Sequence, residues 1–93
     1  MYIAVDSVGL QINMNVGIDI TSGTLTMEIT KPLTETTASK TVVVDVATTG
    51  VVHYVTIADD LDEIGVYLVR AKWVPSGGGL LYGEETSFQV EPL

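Results

Sequence analysis

Residues 61–74 have the sequence LDEIGVYLVRAKWV, in which a polar turn leads into a long extended pattern. From Gly65 to Val74 apolar and polar side chains alternate, as expected of a β-strand whose successive residues point to opposite faces. We assign the face that begins at Tyr67 to the core. The inward residues are then Tyr67, Val69, Ala71 and Trp73, and the outward residues are Leu68, Arg70 and Lys72.

Tyr67 lies where immunoglobulin-type sandwiches place a characteristic tyrosine. In those sandwiches a tyrosine near the start of the penultimate strand hydrogen-bonds through its hydroxyl to backbone upstream, at the corner between two sheets. Tyr67 follows Gly65 by two residues and Leu61 by six, which fits that corner. Because the motif occurs in unrelated sandwiches, it supports the fold and says little about function.

Other segments of the chain show strand patterns as well. Gly9–Val16 and Thr24–Thr30 each place large apolar residues on one face and polar residues on the other. Pro32 cannot donate a hydrogen bond within a sheet, so we expect it to end the second of these strands. The remaining predicted strands are Thr41–Val46, Val51–Ile57 and Thr86–Val90.

The connections between these strands complete the fold prediction. Residues 33–40 are polar and predict a loop, whereas Pro75–Gly79 predicts a hairpin turn, since glycine tolerates the positive φ of tight returns. Val51–Ile57 is apolar on both faces and is expected to be a central strand. Residues 1–93 are therefore predicted to form one all-β domain, an immunoglobulin-like antiparallel β-sandwich of about seven strands.

The composition favours a folded chain without disulfides. Hydrophobic residues make up 46% of the chain and charged residues 17%, unlike the composition of disordered segments. There is no cysteine, which excludes disulfides and thiolate metal sites. Apolar runs are far shorter than the ~20 residues of a membrane-spanning helix. Residues 1–7 lack the features of a secretory signal, so we expect synthesis in a cytoplasm.

The net charge restricts the partners of this protein. Twelve acidic residues against four basic ones give a charge of −8 at neutral pH. That charge repels the phosphates of nucleic acids and the anionic surface of membranes, and four basic residues are too few to form a basic stripe. We therefore expect neither nucleic acid nor a membrane as a partner.

Residues that could carry chemistry are few. His53 is the only histidine and lies in the middle of a strand with no partner implied by spacing. Asp59–Glu63 lacks the spacing of an EF-hand, so we expect a turn in which Leu61 and Ile64 plug the core, with calcium binding as the lesser alternative. Gly77–Gly79 lacks the lysine of a phosphate-binding loop. We predict no catalytic residues, no cofactor and no metal ion, and a protein that is not an enzyme.

Two apolar segments are better candidates for protein contacts. The first lies within residues 1–7 and forms either an extra strand of this domain or an arm that pairs with a neighbouring subunit. The second follows the glycine-rich turn and is too apolar for a freely solvated hairpin. The candidate interface residues are Tyr2, Ile3, Val5, Leu80, Leu81 and Tyr82.

A family resemblance extends over nearly the whole chain. The segments that carry it are Val8–Leu10, Asp19–Gly23, Ile29–Pro32, Gly50–Tyr54, Asp59–Leu61, Gly65–Tyr67 and Phe88–Val90. They resemble the immunoglobulin-like domains of tailed-phage virion proteins, and most of all the amino-terminal domain of baseplate upper proteins, which anchors receptor-binding machinery to the particle. The chain departs from that family at Leu33-Thr34, where Asp-Gly is common, and it stops at Leu93, where that family usually continues into a helical or fibre-forming segment.

The resemblance implies a small accessory subunit of the virion, such as a head decoration, neck, tail or baseplate adaptor protein. Its partners would be other virion proteins and copies of itself, and its location would be the virion. The alternative is a module that binds glycans or cell surfaces, which commonly uses exposed aromatic side chains. The predicted burial of Trp73 argues against that alternative.

Overall fold

The fold was analysed in a computed structural model, which describes residues 3–83 and 85–93. Within these ranges every regular element is a strand, and no helix is long and apolar enough to cross a membrane. The strands are β1 (Gln11–Asn15), β2 (Thr24–Thr30), β3 (Thr37–Thr41), β4 (Val43–Val46), β5 (Val51–Val55), β6 (Gly65–Val74), β7 (Leu81–Tyr82) and β8 (Thr86–Val90).

The strands form two antiparallel sheets. Sheet I has the order β1-β5-β4, and sheet II has the order β3-β2-β6, with both β7 and β8 on the far side of β6. The chain passes from sheet II to sheet I at Val42, between β3 and β4. The molecule is an immunoglobulin-like β-sandwich, which confirms the predicted fold class, with eight strands instead of about seven.

The core lies between the two sheets and is built by the alternating residues. On β6, Tyr67, Val69 and Ala71 are buried, as predicted. Met27 and Ile29 of the neighbouring β2 pair in register with Ala71 and Val69 and are also buried. Sheet I closes this layer with Ile12, Val52 and Tyr54. As predicted, β5 is the central strand of its sheet.

The corner ahead of β6 is held by Tyr67. Its ring is fully buried and stacks on Phe88 of β8, with ring centroids 5.4 Å apart. The Glu63 backbone amide donates a 2.9 Å hydrogen bond to the Tyr67 hydroxyl. Burial raises the pKa of Tyr67, so the phenol is neutral and accepts this bond. The predicted tyrosine corner is confirmed.

The loop predicted over residues 33–40 is wrong in its second half. Thr37–Thr41 is β3, which pairs with β2 from Thr30↔Thr37 to Thr26↔Thr41. Because β3 is an edge strand with exposed side chains on both faces, it lacks the apolar alternation that identifies a strand in a sequence. The single strand predicted over Thr41–Val46 is likewise divided at Val42.

The turn at residues 59–63 also differs from its prediction. Leu61 is buried, as expected, but Ile64 is 45% exposed and does not plug the core. Asp59 and Gly65 both have positive φ, so the chain changes direction on either side of this turn.

Candidate protein-binding surface

The β6–β7 hairpin exposes the second of the predicted contact segments. Its turn is closed by the Gly78 amide, which donates a 3.0 Å hydrogen bond to the Pro75 carbonyl oxygen. β7 has only two residues, paired as Lys72↔Tyr82 and Trp73↔Leu81. We call Leu80, Leu81 and Tyr82 the hairpin surface; their exposed fractions are 47%, 52% and 48%.

A groove beside the hairpin surface gives it a defined shape. The groove has a volume of about 220 Å³ and separates the hairpin from the end of sheet I. Its lining is almost entirely apolar or aromatic, and we call it the hairpin groove. The lining residues are Val16, Ile18, Leu25, Ala71, Trp73, Leu81, Tyr82 and Gly83.

Tyr82 is fixed on the outer face of sheet II by a charged neighbour. The Arg70 guanidinium carbon lies 3.9 Å from the centre of the Tyr82 ring, a cation–π contact. Arg70 is itself held by Glu28, whose carboxylate accepts a 2.8 Å hydrogen bond from its Nε. This row of side chains across three strands keeps the Tyr82 ring in place, so this part of the surface is ordered before any partner binds.

Trp73 contradicts its prediction, because it is half-buried and lines the hairpin groove. Trp73 does point toward sheet I. However, β6 is ten residues long whereas the strands of sheet I have five residues or fewer, so sheet I does not cover the end of β6 that carries Trp73. The indole Nε1 donates a 3.0 Å hydrogen bond to the Ser22 carbonyl oxygen. The ring is therefore fixed at the open end of the sandwich.

Gly23 allows the turn before β2 to approach the hairpin closely. A Cβ atom at this position would press on the Val74 carbonyl oxygen and lie 2.6 Å from Pro75 Cα. Its φ of 93° is also a conformation that favours glycine. The close contact brings the Ser22 carbonyl oxygen next to Trp73, so the groove depends on a glycine that sequence patterns identified only as part of a turn.

The amino-terminal segment pairs within the domain. Ala4 forms a parallel bridge with Glu91. The Val5 amide donates a 2.8 Å hydrogen bond to the Glu91 carbonyl oxygen, and the Glu91 amide donates a 2.8 Å hydrogen bond to the Ile3 carbonyl oxygen. Ile3 is part of the core. The described part of this segment is thus tied to its own domain by one isolated bridge. Tyr2 lies outside the described residues.

The polar side chains that could carry chemistry make structural contacts. His53 Nδ1 lies 2.7 Å from Asp45 Oδ2 on the adjacent β4, a partner that sequence spacing missed because a register shift between Val44 and Val46 places it there. Among the described residues, no cluster of three or more histidine, cysteine or acidic side chains could hold a metal ion.

Asp60 is a buried carboxylate within the segment Asp59–Glu63, which the sequence predicts to be a turn. It accepts hydrogen bonds from the Tyr54 hydroxyl and the Ile57 amide, and Lys40 Nζ lies 2.8 Å from its other oxygen. Burial alone would raise the pKa of Asp60, but these hydrogen bonds outweigh it and hold the pKa below its usual value. The group ties β3 and β5 to the loop after β5.

Comparisons with known proteins bear on the fold. No family model matches the chain, and no curated protein matches it. Among solved structures, the chain is similar to the crystal structure of CopC from Methylosinus trichosporium OB3b, with a TM-score of 0.62 and 13% sequence identity. The match covers 99% of this chain and 86% of that one. At this identity the likeness shows a shared β-sandwich fold and nothing about function.

Proposed function

We propose that this protein is a non-enzymatic structural subunit of a tailed-phage virion and that it acts through protein–protein contacts at the hairpin surface. The observation that carries the contact is a half-exposed run of Leu80, Leu81 and Tyr82 beside a preformed apolar groove. The virion assignment comes from the family resemblance of the sequence. Within the particle the protein would serve as a head decoration, neck, tail or baseplate adaptor protein.

The chemistry of the groove suggests what its partner presents. A groove of about 220 Å³ with an apolar lining suits one or two large apolar side chains, whose burial contributes about 1.5–3 kcal/mol each. Lys72 pairs across the hairpin with Tyr82, and Arg70 lies against the same ring. Two of the four basic residues of this acidic chain thus flank the surface. Because Arg70 is already paired with Glu28, the partner would meet the charge of Lys72, and we expect a virion protein with an apolar anchor next to a carboxylate.

Substitution of Leu81 tests the contact. Leu81→Asp places a charge on the apolar surface, and we expect binding to subunit-depleted particles to weaken at least about tenfold, because an unpaired carboxylate would have to be desolvated. Leu68→Asp is the matched control, since Leu68 is 37% exposed on the outer face of sheet II and lies outside the groove. Binding is measured by co-sedimentation with the particles and should be unchanged in the control.

Two results would contradict the proposal. Equal co-sedimentation of the Leu81→Asp variant and the unsubstituted protein would exclude the hairpin surface as the contact. If the protein were not found in purified particles by electron microscopy, the virion assignment itself would be wrong.

A glycan- or cell-surface-binding module remains the second candidate, because Trp73 is less buried than its position in the sequence pattern predicts. Trp73 and Tyr82 both line the groove, and aromatic rings stack on sugars. Against this function, the groove offers few hydrogen-bonding groups, and the indole N–H is already bonded to Ser22. Binding to defined oligosaccharides on a glycan array, without co-sedimentation with particles, would favour the second candidate.

A further inference from the structure

Sheet I has an open side next to β1. Constant-type immunoglobulin sandwiches place four strands, A, B, E and D, in one sheet. Sheet I has three strands, and their order β1-β5-β4 corresponds to B, E and D. The segment before β1 does not take the place of strand A, because Ala4 bridges to Glu91, directly after β8 of sheet II. Among the described residues, β1 therefore pairs with β5 on one side and with no strand on the other.

The backbone of β1 presents three N–H and three C=O groups to this open side. In an antiparallel pair, opposite residues are hydrogen-bonded at every second position. The Thr56 amide donates to the Leu10 carbonyl oxygen at 2.9 Å, and the Val16 amide donates to the Gly50 carbonyl oxygen at 3.0 Å, so the even-numbered residues of β1 bond to β5. The residues whose backbone groups point to the open side are Gln11, Asn13 and Asn15.

This edge is suited to the addition of another strand. β1 pairs with β5 over five consecutive residues without a register shift. Its sequence, QINMN, contains neither a charged residue nor a proline. Charges, prolines and bulges are the devices by which natural proteins protect an edge. Because β1 has none of the three, an extended segment of another chain can pair along its whole length.

A continuous groove runs along the same side, between β1 and the edge of sheet II. Beside β1 the two sheets leave a cavity of about 400 Å³, which we call the seam cavity. The seam cavity shares Val16, Ala71 and Gly83 with the hairpin groove, so the two form one groove. A strand added to β1 would point alternate side chains, about 7 Å apart, into it. The other residues that line the seam cavity are Met14, Asn15, Glu85 and Thr86.

Charge indicates what the added strand carries. The hairpin groove is apolar, whereas Glu85 contributes an exposed carboxylate to the seam cavity. The complementary segment has a large apolar side chain and, two residues away, a lysine or arginine. A second copy of this chain is poorly suited to supply it, because the chain has a charge of −8 and three of its four basic residues are already ion-paired within the domain. These three are Lys31, Lys40 and Arg70.

From the unpaired edge of β1, the groove beside it and the carboxylate of Glu85, we infer that an extended segment of a different virion protein adds a fourth strand to sheet I alongside β1. Its apolar side chain enters the hairpin groove and its basic side chain enters the seam cavity. Main-chain hydrogen bonds supply affinity, and the two side chains supply specificity. The inference rests on the proposed function, because it states how the partner at the hairpin surface is held.

Proline at the centre of β1 tests the added strand. Asn13→Pro removes an outward N–H and places the ring on the open side, while the bonds to β5 remain. We expect co-sedimentation with subunit-depleted particles to weaken at least about tenfold. Ser39→Pro is the matched control, since Ser39 is the central residue of the edge strand β3 and its N–H also points away from the sheet. The control should bind like the unsubstituted protein.

Hydrogen exchange tests the same contact in the unsubstituted protein, so the result does not depend on how a proline variant folds. The outward amides of β1 should exchange at least about tenfold more slowly in the particle-bound protein than in the free protein, because they donate to the added strand. Mass spectrometry of peptides that cover residues 11–15 measures the rates.

Charge reversal at Glu85 tests the basic side chain of the segment. Glu85→Lys should weaken co-sedimentation at least about threefold, because like charges would meet in the seam cavity. Glu35→Lys makes the same change at an exposed residue outside the groove and should leave binding unchanged. Equal binding of the two lysine variants would overturn the chemistry assigned to the segment.

Two other results would overturn the added strand itself. One is unchanged exchange at β1 in the bound protein. The other is an Asn13→Pro variant that unfolds cooperatively in urea and binds as well as Ser39→Pro. Leu81→Asp in the same assay separates this failure from failure of the proposed function. If Leu81→Asp weakens binding while β1 is unaffected, the hairpin contact stands and only the added strand is lost.

Discussion

The Tyr67 hydroxyl is the clearest case of a single atom that holds the corner between sheets. It accepts a hydrogen bond from the Glu63 amide at a buried position. Tyr67→Phe leaves that amide without its partner, and we expect the free energy of unfolding to fall by about 1–3 kcal/mol. Urea unfolding measures the loss. Tyr82→Phe is the control, because the Tyr82 ring is half-exposed, and should change stability little; equal losses in both variants would argue against the corner bond.

Asp60 makes stability depend on pH. Its pKa in the folded protein lies below the ordinary 3.8, so the carboxylate contributes stability that is fully present above about pH 4 and is lost as the pH falls through the folded-state pKa. Asp60→Asn removes this contribution and should lower the free energy of unfolding by about 1–3 kcal/mol at neutral pH.

The pH series is what identifies the carboxylate. Unfolding of both proteins from pH 7 to pH 2 should show their difference shrinking below about pH 4, where the unfolded chain begins to bind a proton at Asp60, until the folded carboxylate is protonated as well. Hydrogen bonds also hold the pKa of Asp19 and Glu63 below their usual values, but these groups are common to both proteins and cancel in the difference. A difference independent of pH would assign the loss to packing alone.

Residue-level contacts were predictable only where the sequence pattern is local. The Tyr67 corner follows from a spacing of a few residues, so the sequence was sufficient. The Asp60–Lys40 pair joins residues in different elements, and the Asp45–His53 pair depends on a register shift. Neither can be inferred before the strand pairing is known.

At the scale of elements, the hairpin depends on the turn that precedes β2. Gly23→Ala would force a Cβ atom against the Val74 carbonyl oxygen at a φ that side chains disfavour, and we expect it to lower the free energy of unfolding by about 1–3 kcal/mol. Thermal unfolding gives the change, and the fluorescence of Trp73, which reports on the adjacent groove, should shift with it.

Gly77→Ala provides the comparison within the same hairpin. A Cβ atom on Gly77 meets no atom within 4 Å, so this substitution should be neutral or should stabilise by up to about 1 kcal/mol through the unfolded chain. If the two glycine variants had equal stability, the close approach of the two turns would not be a constraint on the fold.

Strands that bury one face were predicted well and a strand exposed on both faces poorly, for one physical reason. β2, β6 and β8 have the predicted bounds, and β1 lies within two residues of its own, because each buries one face and alternates accordingly. β3 is exposed on both faces, and its TASKT sequence carries no such signal. The switch of sheets at Val42 was invisible, because both adjoining segments are extended.

At the scale of the whole molecule, the candidate surfaces were only partly predictable. Leu80, Leu81 and Tyr82 were identified because they are more apolar than their context allows. The groove beside them was not, since it requires Trp73 at an uncovered strand end and Leu25 from a distant strand. The exposure of β4 was not predicted either, because it depends on the position of this strand at one edge of sheet I. Composition reports how much apolar surface exists, whereas topology decides which part is covered.

The bridge between Ala4 and Glu91 places these two segments side by side, at the end of β6 that begins with Gly65. The hairpin lies at the other end of that ten-residue strand, about 30 Å away. Two short linkers from these segments could therefore reach the same surface loop of a host protein, for insertion of the domain. In such a fusion the hairpin surface would point away from the host protein and stay accessible.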